Sequence, residues 1–279
     1  MLHIDNLRVD FHTDTGTVHA VRGLSLRVAR GERVGIVGES GSGKSMTGRA
    51  VLRLIRPPGV VTADRLSFDG TDLLTLPEAE MRRLRGRRIG MVLQDPKYSL
   101  NPVMTIGRQL TEAFRTADPA LGRRAARAKA LEALARVRIH DPERVYDAHP
   151  HELSGGMGQR VMIAMMVALG PDLLIADEPT SALDVTVQMQ VLAILDDLVR
   201  ETGMGLMFIS HDLNLVASFC DRVVVMFAGR VMEECAAADL HAARHPYTRG
   251  LLAALPVLDG PRGDLPVLAR DPAWTGDGA

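Results

Sequence analysis

Eight consecutive residues carry the clearest chemistry in this 279-residue chain: Gly38-Glu39-Ser40-Gly41-Ser42-Gly43-Lys44-Ser45 fits the pattern G-x-x-x-x-G-K-[ST]. Glycines at these spacings let the backbone wrap closely around phosphate oxygens. Successive N–H groups and the following helix N-terminus cradle negative charge, and the lysine adds a point charge at the β/γ-phosphates. Ser45 then offers a hydroxyl to Mg²⁺. Two carboxylates, Asp177 and Glu178, close the apolar run that starts at Leu173. Beside a phosphate loop, such a pair suits one acid that supports Mg²⁺ and a second that orients or deprotonates a water. His211 and Asp212 follow another apolar run, Leu206 to Ser210, at the strand end that faces ligands in open α/β sheets. Gln94 holds the same kind of place after Ile89 to Leu93. Leu153-Ser154-Gly155-Gly156-Met157, just before the helix-like Gln159 to Leu169, sets a hydroxyl and exposed N–H groups at a helix start, which makes a second anion site.

These residues need strands and helices to hold them. Arg33 to Val37 supplies a strand before the phosphate loop, and Met46 to Ile55 a helix after it. Earlier, Leu7 to Phe11 and Val18 to Val28 read as strands around the turn Asp14-Thr15-Gly16. Phe11, 27 positions before Gly38, is either a core ring or one able to stack on a base. Pro57-Pro58-Gly59 breaks the chain, Arg65 to Gly70 reads as strand and turn, and Ile89 to Leu93 as a buried strand. From Asp95 to His149 the pattern turns helical, with Ile106 to Phe114 and Arg123 to Val137. Leu131, Leu134 and Val137 line one side of the second helix, and Arg124, Arg127 and Arg138 lie among its polar positions. This block reads as an inserted helical subdomain with a solvated basic face. The cluster Arg82 to Arg88 reads as solvated too.

Composition narrows the class. Hydrophobic residues make up 46% and charged residues 24%, enough for one large core or a core with a subdomain. A net charge of −1 gives no overall reason to expect a nucleic-acid binder. Cys220 and Cys235 lack any C-x-x-C partner, so neither a disulfide framework nor a zinc site is suggested, and a reducing compartment is consistent. His149, His151, His241 and His245 have no matched metal-ligand spacing and read as structural. The N-terminal residues do not have the pattern of a secretory leader. The longest apolar runs, Val161 to Leu169 and Val223 to Ala228, fall far short of a membrane span. If the protein works at a membrane, another chain crosses it.

A phosphate loop alone does not separate kinases, GTPases, helicases and transport ATPases. The order of elements, however, resembles the ATP-binding cassette (ABC) ATPases over nearly the whole chain. Walker A lies at Gly38 to Ser45, the Q-loop at Gln94, the signature at Leu153 to Met157, and Walker B at Leu173 to Asp177 followed by Glu178. The D-loop lies at Ser181-Ala182-Leu183-Asp184 and the switch histidine at His211. Within that family, Gln94-Asp95-Pro96 with Ser99-Leu100-Asn101-Pro102, the Gly-Gly-Met signature, and His245-Pro246-Tyr247-Thr248-Arg249-Gly250-Leu251-Leu252 resemble the ATPase subunits of dipeptide, oligopeptide and nickel importers. Two features depart from that group: Gly158 stands where arginine is common, and the tail Leu255 to Ala279 has none of the cysteines that bind an iron–sulfur cluster in many members.

The resemblance implies an α/β P-loop fold with a RecA-like core, an antiparallel β-subdomain and a helical insert. It implies an ATPase domain over 1–235, with the insert at about 95–160, and a C-terminal extension over 236–279. Its cofactors are ATP and Mg²⁺, with no iron–sulfur cluster. Phe11 stacks on adenine; Gly38, Ser40, Gly41, Ser42, Gly43, Lys44 and Ser45 hold the phosphates; Ser45, Gln94 and Asp177 serve Mg²⁺. Glu178 polarises the attacking water and His211 contacts the γ-phosphate. Ser154, Gly155, Gly156 and Asp184 complete the nucleotide site of a second, head-to-tail ATPase subunit, a paralogue or an identical copy, which accounts for the second anion site. Two permease subunits and, indirectly, an extracytoplasmic solute-binding protein complete the expected assembly on the cytoplasmic face of the plasma membrane, with peptides as cargo and nickel as the alternative. A DNA-repair ATPase of the superfamily needs a long coiled-coil or zinc-bearing insertion, and no sustained heptad run occurs here. A translation factor needs two cassettes in one chain, and a small-molecule kinase has no use for the signature.

Overall fold

The computed structural model describes residues 1–95, 99–255, 271 and 274, and the chain forms two compact units. The first unit begins with β1 (Leu2–Thr13), β2 (Gly16–Val28), β3 (Arg33–Gly38), α1 (Lys44–Val51), β4 (Gly59–Thr62), β5 (Arg65–Phe68) and β6 (Thr71–Asp72). The second takes residues 29–32 and Leu76–Met207. It contains α2 (Glu78–Leu84), β7 (Ile89–Val92), α3 (Ile106–Ala117), α4 (Arg123–Arg136), α5 (Pro142–Asp147), α6 (Gly155–Val167), β8 (Leu173–Asp177) and α7 (Val185–Thr202). Strand β9 (Gly205–Ser210) runs from the second unit into the first, which continues with α8 (Leu213–Phe219), β10 (Arg222–Phe227), β11 (Arg230–Ala236) and α9 (Pro246–Ala253). The helical insert expected at about 95–160 lies inside the second unit, and the extension expected from 236 groups with the first.

An antiparallel sheet in the first unit runs β2-β1-β5-β6, with β4 also paired to β1. Leu2, Ile4, Leu7 and Val9 of β1 are buried, a period of two broken once. The break is a register shift between Ile4 and Leu7, with Asn6 in the left-handed region at φ 51°. One extra residue at that bulge returns Leu7 and Val9 to the core face, which an unbroken strand would turn to solvent. Elsewhere in this unit β10 runs parallel to β3, setting Met226 opposite Gly38, and β11 pairs antiparallel to β10. Helix α8 packs on β3 so closely that a Cβ at Gly35 would come within 2.2 Å of Val216 Cγ1. Burial there pushes the Cys220 thiol up to about 12.

The C-terminal extension is tied into this unit by polar caps and rings. Glu233 of β11 accepts from the N–H groups of Arg244 and His245, and His245 Nδ1 in turn accepts from Tyr247 N at the start of α9. Tyr247 is fully buried with its ring 4.6 Å from that of Phe227, and Trp274 meets both edge-on.

In the second unit β7 and β8 pair in parallel. Helices α3, α4 and α5 pack together, and the Tyr146 ring of α5 lies where Gly107 of α3 has no side chain. A Cβ there would fall within 2.3 Å of the ring. Arg123, Arg124 and Arg127 are exposed, as the solvated-face reading of this helix expects. Of the Arg82 to Arg88 cluster, Arg85 pairs with Glu78 and Arg88 with Asp172, just before β8. Arg30 reaches Asp172 as well, at 2.6 Å.

Burial alone raises the Asp172 pKa, yet hydrogen bonds from Arg30 and Arg88 outweigh it and hold the carboxyl below the usual carboxylate range. A depressed folded-state pKa contributes stability that is present above the unfolded value of about 3.9 and is lost as pH falls through the folded one. Asp172→Asn is therefore expected to cost roughly 1 kcal/mol at pH 7, discounted for the half-exposed arginines. It should also flatten the acid limb of the stability curve below about pH 4. Chemical denaturation of both proteins between pH 3 and 7 checks this; parallel curves throughout would refute the linkage.

Candidate active site

The phosphate loop is shaped by close backbone approach at two of its glycines. A Cβ at Gly38, φ 155°, would lie 2.1 Å from the Met226 carbonyl oxygen, and one at Gly43, φ 98°, would lie 2.3 Å from the Ala20 carbonyl oxygen. Only glycine fits either place. Gly43 stands as the N-cap of α1, and no acidic residue occupies the helix's first turn, so its positive end is left for an anion. Lys44 opens the helix, is 4% exposed, and donates from Nζ to the carbonyls of Gly38 and Glu39, both at 2.8 Å. That places the ammonium inside the loop it is expected to serve. Ser42 is buried, Ser40 and Gly41 lie at the exposed tip, and Ser45 is half-buried in the first helical turn.

Phe11 lies opposite Val18 and opposite Gly59 in the antiparallel sheet. Gly59 makes room for the ring, since a Cβ there would approach Phe11 Cε1 to 2.8 Å. The ring is half-exposed and its neighbour Val18 is 58% exposed, so Phe11 is not a closed core residue.

In the second unit, Asp177 is the last residue of β8 and is buried, while Glu178 turns out of the strand with φ 47°. A left-handed glutamate costs about 1–2 kcal/mol, the kind of strain found where a side chain must be aimed. Its carboxylate accepts from Gln94 Nε2 at 3.1 Å, which joins the second residue after β7 to the residue after β8. Ser181 braces the turn, donating from N and Oγ to the Glu178 carbonyl. Nothing in the sequence reading singled out Ser181 for this, and its place in the four-residue D-loop was the available signal.

The signature is a helix N-terminus. Ser154 is the N-cap of α6 and accepts from Met157 N at 3.4 Å, so the helix begins at Gly155 rather than at the expected Gln159. Gly155 faces open space, whereas Gly156 is seated on Val187 in the first turn of α7. Asp184 caps α7 by accepting from Val187 N at 3.0 Å, so this D-loop carboxylate has a local structural role. In the first unit His211 is exposed directly after β9, and Asp212 caps α8. The structure thus joins Gln94, Glu178 and Ser181 in one hydrogen-bonded group and folds Lys44 into the Gly38–Gly43 loop. His149, His151 and His245 take capping or stacking places, as their structural reading expects.

A phosphate loop behind a central strand, a carboxylate pair ending another, and a capped glycine pair opening a helix define a P-loop ATPase of the cassette type. Residues 21–181 match the family described as ABC transporter, and the chain belongs to that family as one of its ATPases. It is 46% identical over 261 residues to the oligopeptide transport ATP-binding protein OppD of Bacillus subtilis (strain 168), covering 93% of this chain and 73% of that protein. It is 48% identical over 257 residues to the dipeptide transport ATP-binding protein DppD of Haemophilus influenzae, covering 92% and 78%. Among solved structures, a dimeric post-hydrolysis state of the ATP-binding cassette MJ0796 bound to ADP and Pi matches with a TM-score of 0.76 at 28% identity. That match covers 85% of this chain and 99% of the other.

Proposed function

We propose that this chain is the ATP-hydrolysing subunit of a peptide importer. The cargo rests on relatives named for oligopeptide and dipeptide transport at 46% and 48% identity over more than nine-tenths of the chain. Among the described residues no helix is long and apolar enough to cross a membrane, and the import reading assigns the crossing to separate permease subunits. The chain would work as a peripheral subunit on the cytoplasmic face of the plasma membrane, paired with a second ATPase chain, beneath two permeases and indirectly served by a solute-binding protein. No nucleic acid is part of the reading. No iron–sulfur cluster is proposed either, because Cys220 and Cys235 are the chain's two cysteines and a cluster normally takes four.

The reaction is transfer of the ATP γ-phosphoryl group to water, giving ADP and phosphate. Lys44 and the loop N–H groups hold the phosphates, and Phe11 supplies a ring face for the base. The Glu178 carboxylate takes the proton of the attacking water, and Gln94 fixes its direction through the 3.1 Å bond. His211 contacts the γ-phosphate. Ser45, Asp177 and Gln94 each offer an oxygen, the donor type that Mg²⁺ takes alongside substrate phosphates, and each would serve the cation. When bound, the cation would neutralise charge on the phosphate oxygens. Since Gln94 begins the stretch leading to the helical insert, its bond to Glu178 would link nucleotide occupancy to movement of that insert.

The test is transport. The assembled complex in vesicles, supplied with ATP and its solute-binding protein, should accumulate labelled di- or oligopeptide. ATP-driven accumulation of nickel with no peptide uptake would overturn the cargo assignment and leave the ATPase standing.

A further inference from the structure

The second unit holds the signature turn against α7 at two places. At the first, Gly156 lies on Val187, where a Cβ would come within 2.5 Å of Val187 Cγ1. The second involves Arg160, one turn further along α6. Its Nε donates back to the Gly156 carbonyl at 3.3 Å and its Nη1 to the Arg138 carbonyl at 3.0 Å. Arg138 follows the C-cap of α4 with φ 58°, a position usually given to glycine. Its own guanidinium reaches Asp197 of α7 at 2.5 Å, and Arg136 reaches Glu201 one turn on at 3.0 Å. Val187 and Asp197 are ten residues apart in one helix, about 15 Å along its axis.

One contact would leave the signature turn free to pivot on α7, whereas two contacts so far apart fix its direction. A planar guanidinium holds its Nε and Nη1 donors in a fixed relative direction, and so fixes the two carbonyls it bonds relative to each other, which a lysine ammonium on a flexible stem does not impose. A non-glycine residue in the left-handed region persists only where its surroundings over-determine it, and here the carbonyl and the side chain of Arg138 are both engaged.

We propose that Arg160 and Arg138 are positioning residues for ATP hydrolysis. Through Asp197 they lock the signature turn to α7, the helix that starts at the D-loop, so that Ser154 to Gly156 and Asp184 are presented to the partner's nucleotide as one rigid body. This rests on the reading that the signature completes a site on a second ATPase chain. Neither arginine touches the nucleotide; both act by holding the turn that does.

Arg138→Gly separates this role from folding, because glycine adopts φ 58° without strain while the tie to Asp197 is lost. Its melting temperature should be unchanged or higher. In the assembled complex, Arg138→Gly, Arg160→Lys and Asp197→Ala should each lower kcat about three- to tenfold, as a misplaced binding group does, with KM for ATP held within about twofold. Arg138→Gly combined with Asp197→Ala should be no worse than either alone, and the charge-swapped pair Arg138→Asp with Asp197→Arg should recover activity. Vanadate trapping of photoreactive ATP should show the loss on the partner's site. An unchanged kcat in all three single variants would overturn the proposal, as would a loss confined to this chain's own site or a lowered melting temperature with normal kcat per folded molecule. Ser154→Arg is the control: if it moves the labelling and the strut variants do not, this inference alone fails. If Ser154→Arg also spares the partner's site, the shared-site reading fails first and the strut falls with it.

Discussion

Glu178→Gln is expected to leave ATP binding intact and to lower turnover by about 10²–10⁴, the usual contribution of a general base. The amide keeps the size of the carboxylate and can still accept from Gln94 Nε2, so the geometry after β8 survives. It cannot take a proton from water. Nor should the left-handed backbone at this residue, φ 47°, be disturbed, because the branch point of the side chain is unchanged. ATP would then bind and not be consumed, which should trap the two ATPase chains as a dimer. Steady-state hydrolysis in the purified complex together with ATP-dependent dimerisation by size exclusion measures both. Hydrolysis near the wild-type rate would refute the assignment of Glu178.

Ser154→Arg and Lys44→Ala should damage different sites of the same complex. Lys44 Nζ sits inside its own loop, 2.8 Å from two loop carbonyls, so its removal should empty the site built by this chain. Ser154 begins α6 on an exposed turn next to Gly155, which has open space in front of it. Arginine there sets a bulky cation where the hydroxyl and helix N-terminus should meet the γ-phosphate held by the partner's lysine. Loss of the Ser154 cap also weakens α6 by about 1 kcal/mol, so Ser154→Ala, which loses the cap without adding bulk, isolates that contribution. With vanadate-trapped photoreactive ATP, Ser154→Arg should reduce labelling of the partner and spare this chain, and Lys44→Ala should do the reverse. Reduced labelling of this chain with a normal partner in the Ser154→Arg complex would show that the signature does not complete a shared site.

Most of the proposed chemistry was read from the sequence because it depends on residue type at short spacing. Gly38 and Gly43 are such cases: a backbone that close to the Met226 and Ala20 carbonyls accepts glycine and nothing larger. The apolar runs ending at Asp177 and at Ser210 were equally plain, since buried parallel strands are continuous in hydrophobicity and stop where polar residues begin. Helix starts were less legible. The α6 boundary was misplaced by four residues because Gly155 and Gly156 disfavour helix, and only the Ser154 cap and the Val187 surface beneath Gly156 offset that. Short elements such as α2, β4 and α5 gave no periodic signal long enough to read.

The sequence by itself pointed to a P-loop ATPase, to the loop proposed to hold the phosphates of a nucleoside triphosphate, and to the carboxylate pair proposed to serve the reaction, because backbone conformation and local side-chain chemistry set those signals within a few residues. Tertiary structure decided what depends on distant segments meeting. It joined Gln94 to Glu178 across 84 positions and tied Arg138 to Asp197 across 59. It also bent Glu178 into a conformation that its own side chain disfavours. Hydrogen bonds between separate elements form only after the apolar faces of those elements have found one another, and no local pattern of residue types encodes which polar side chains then fall within 3 Å.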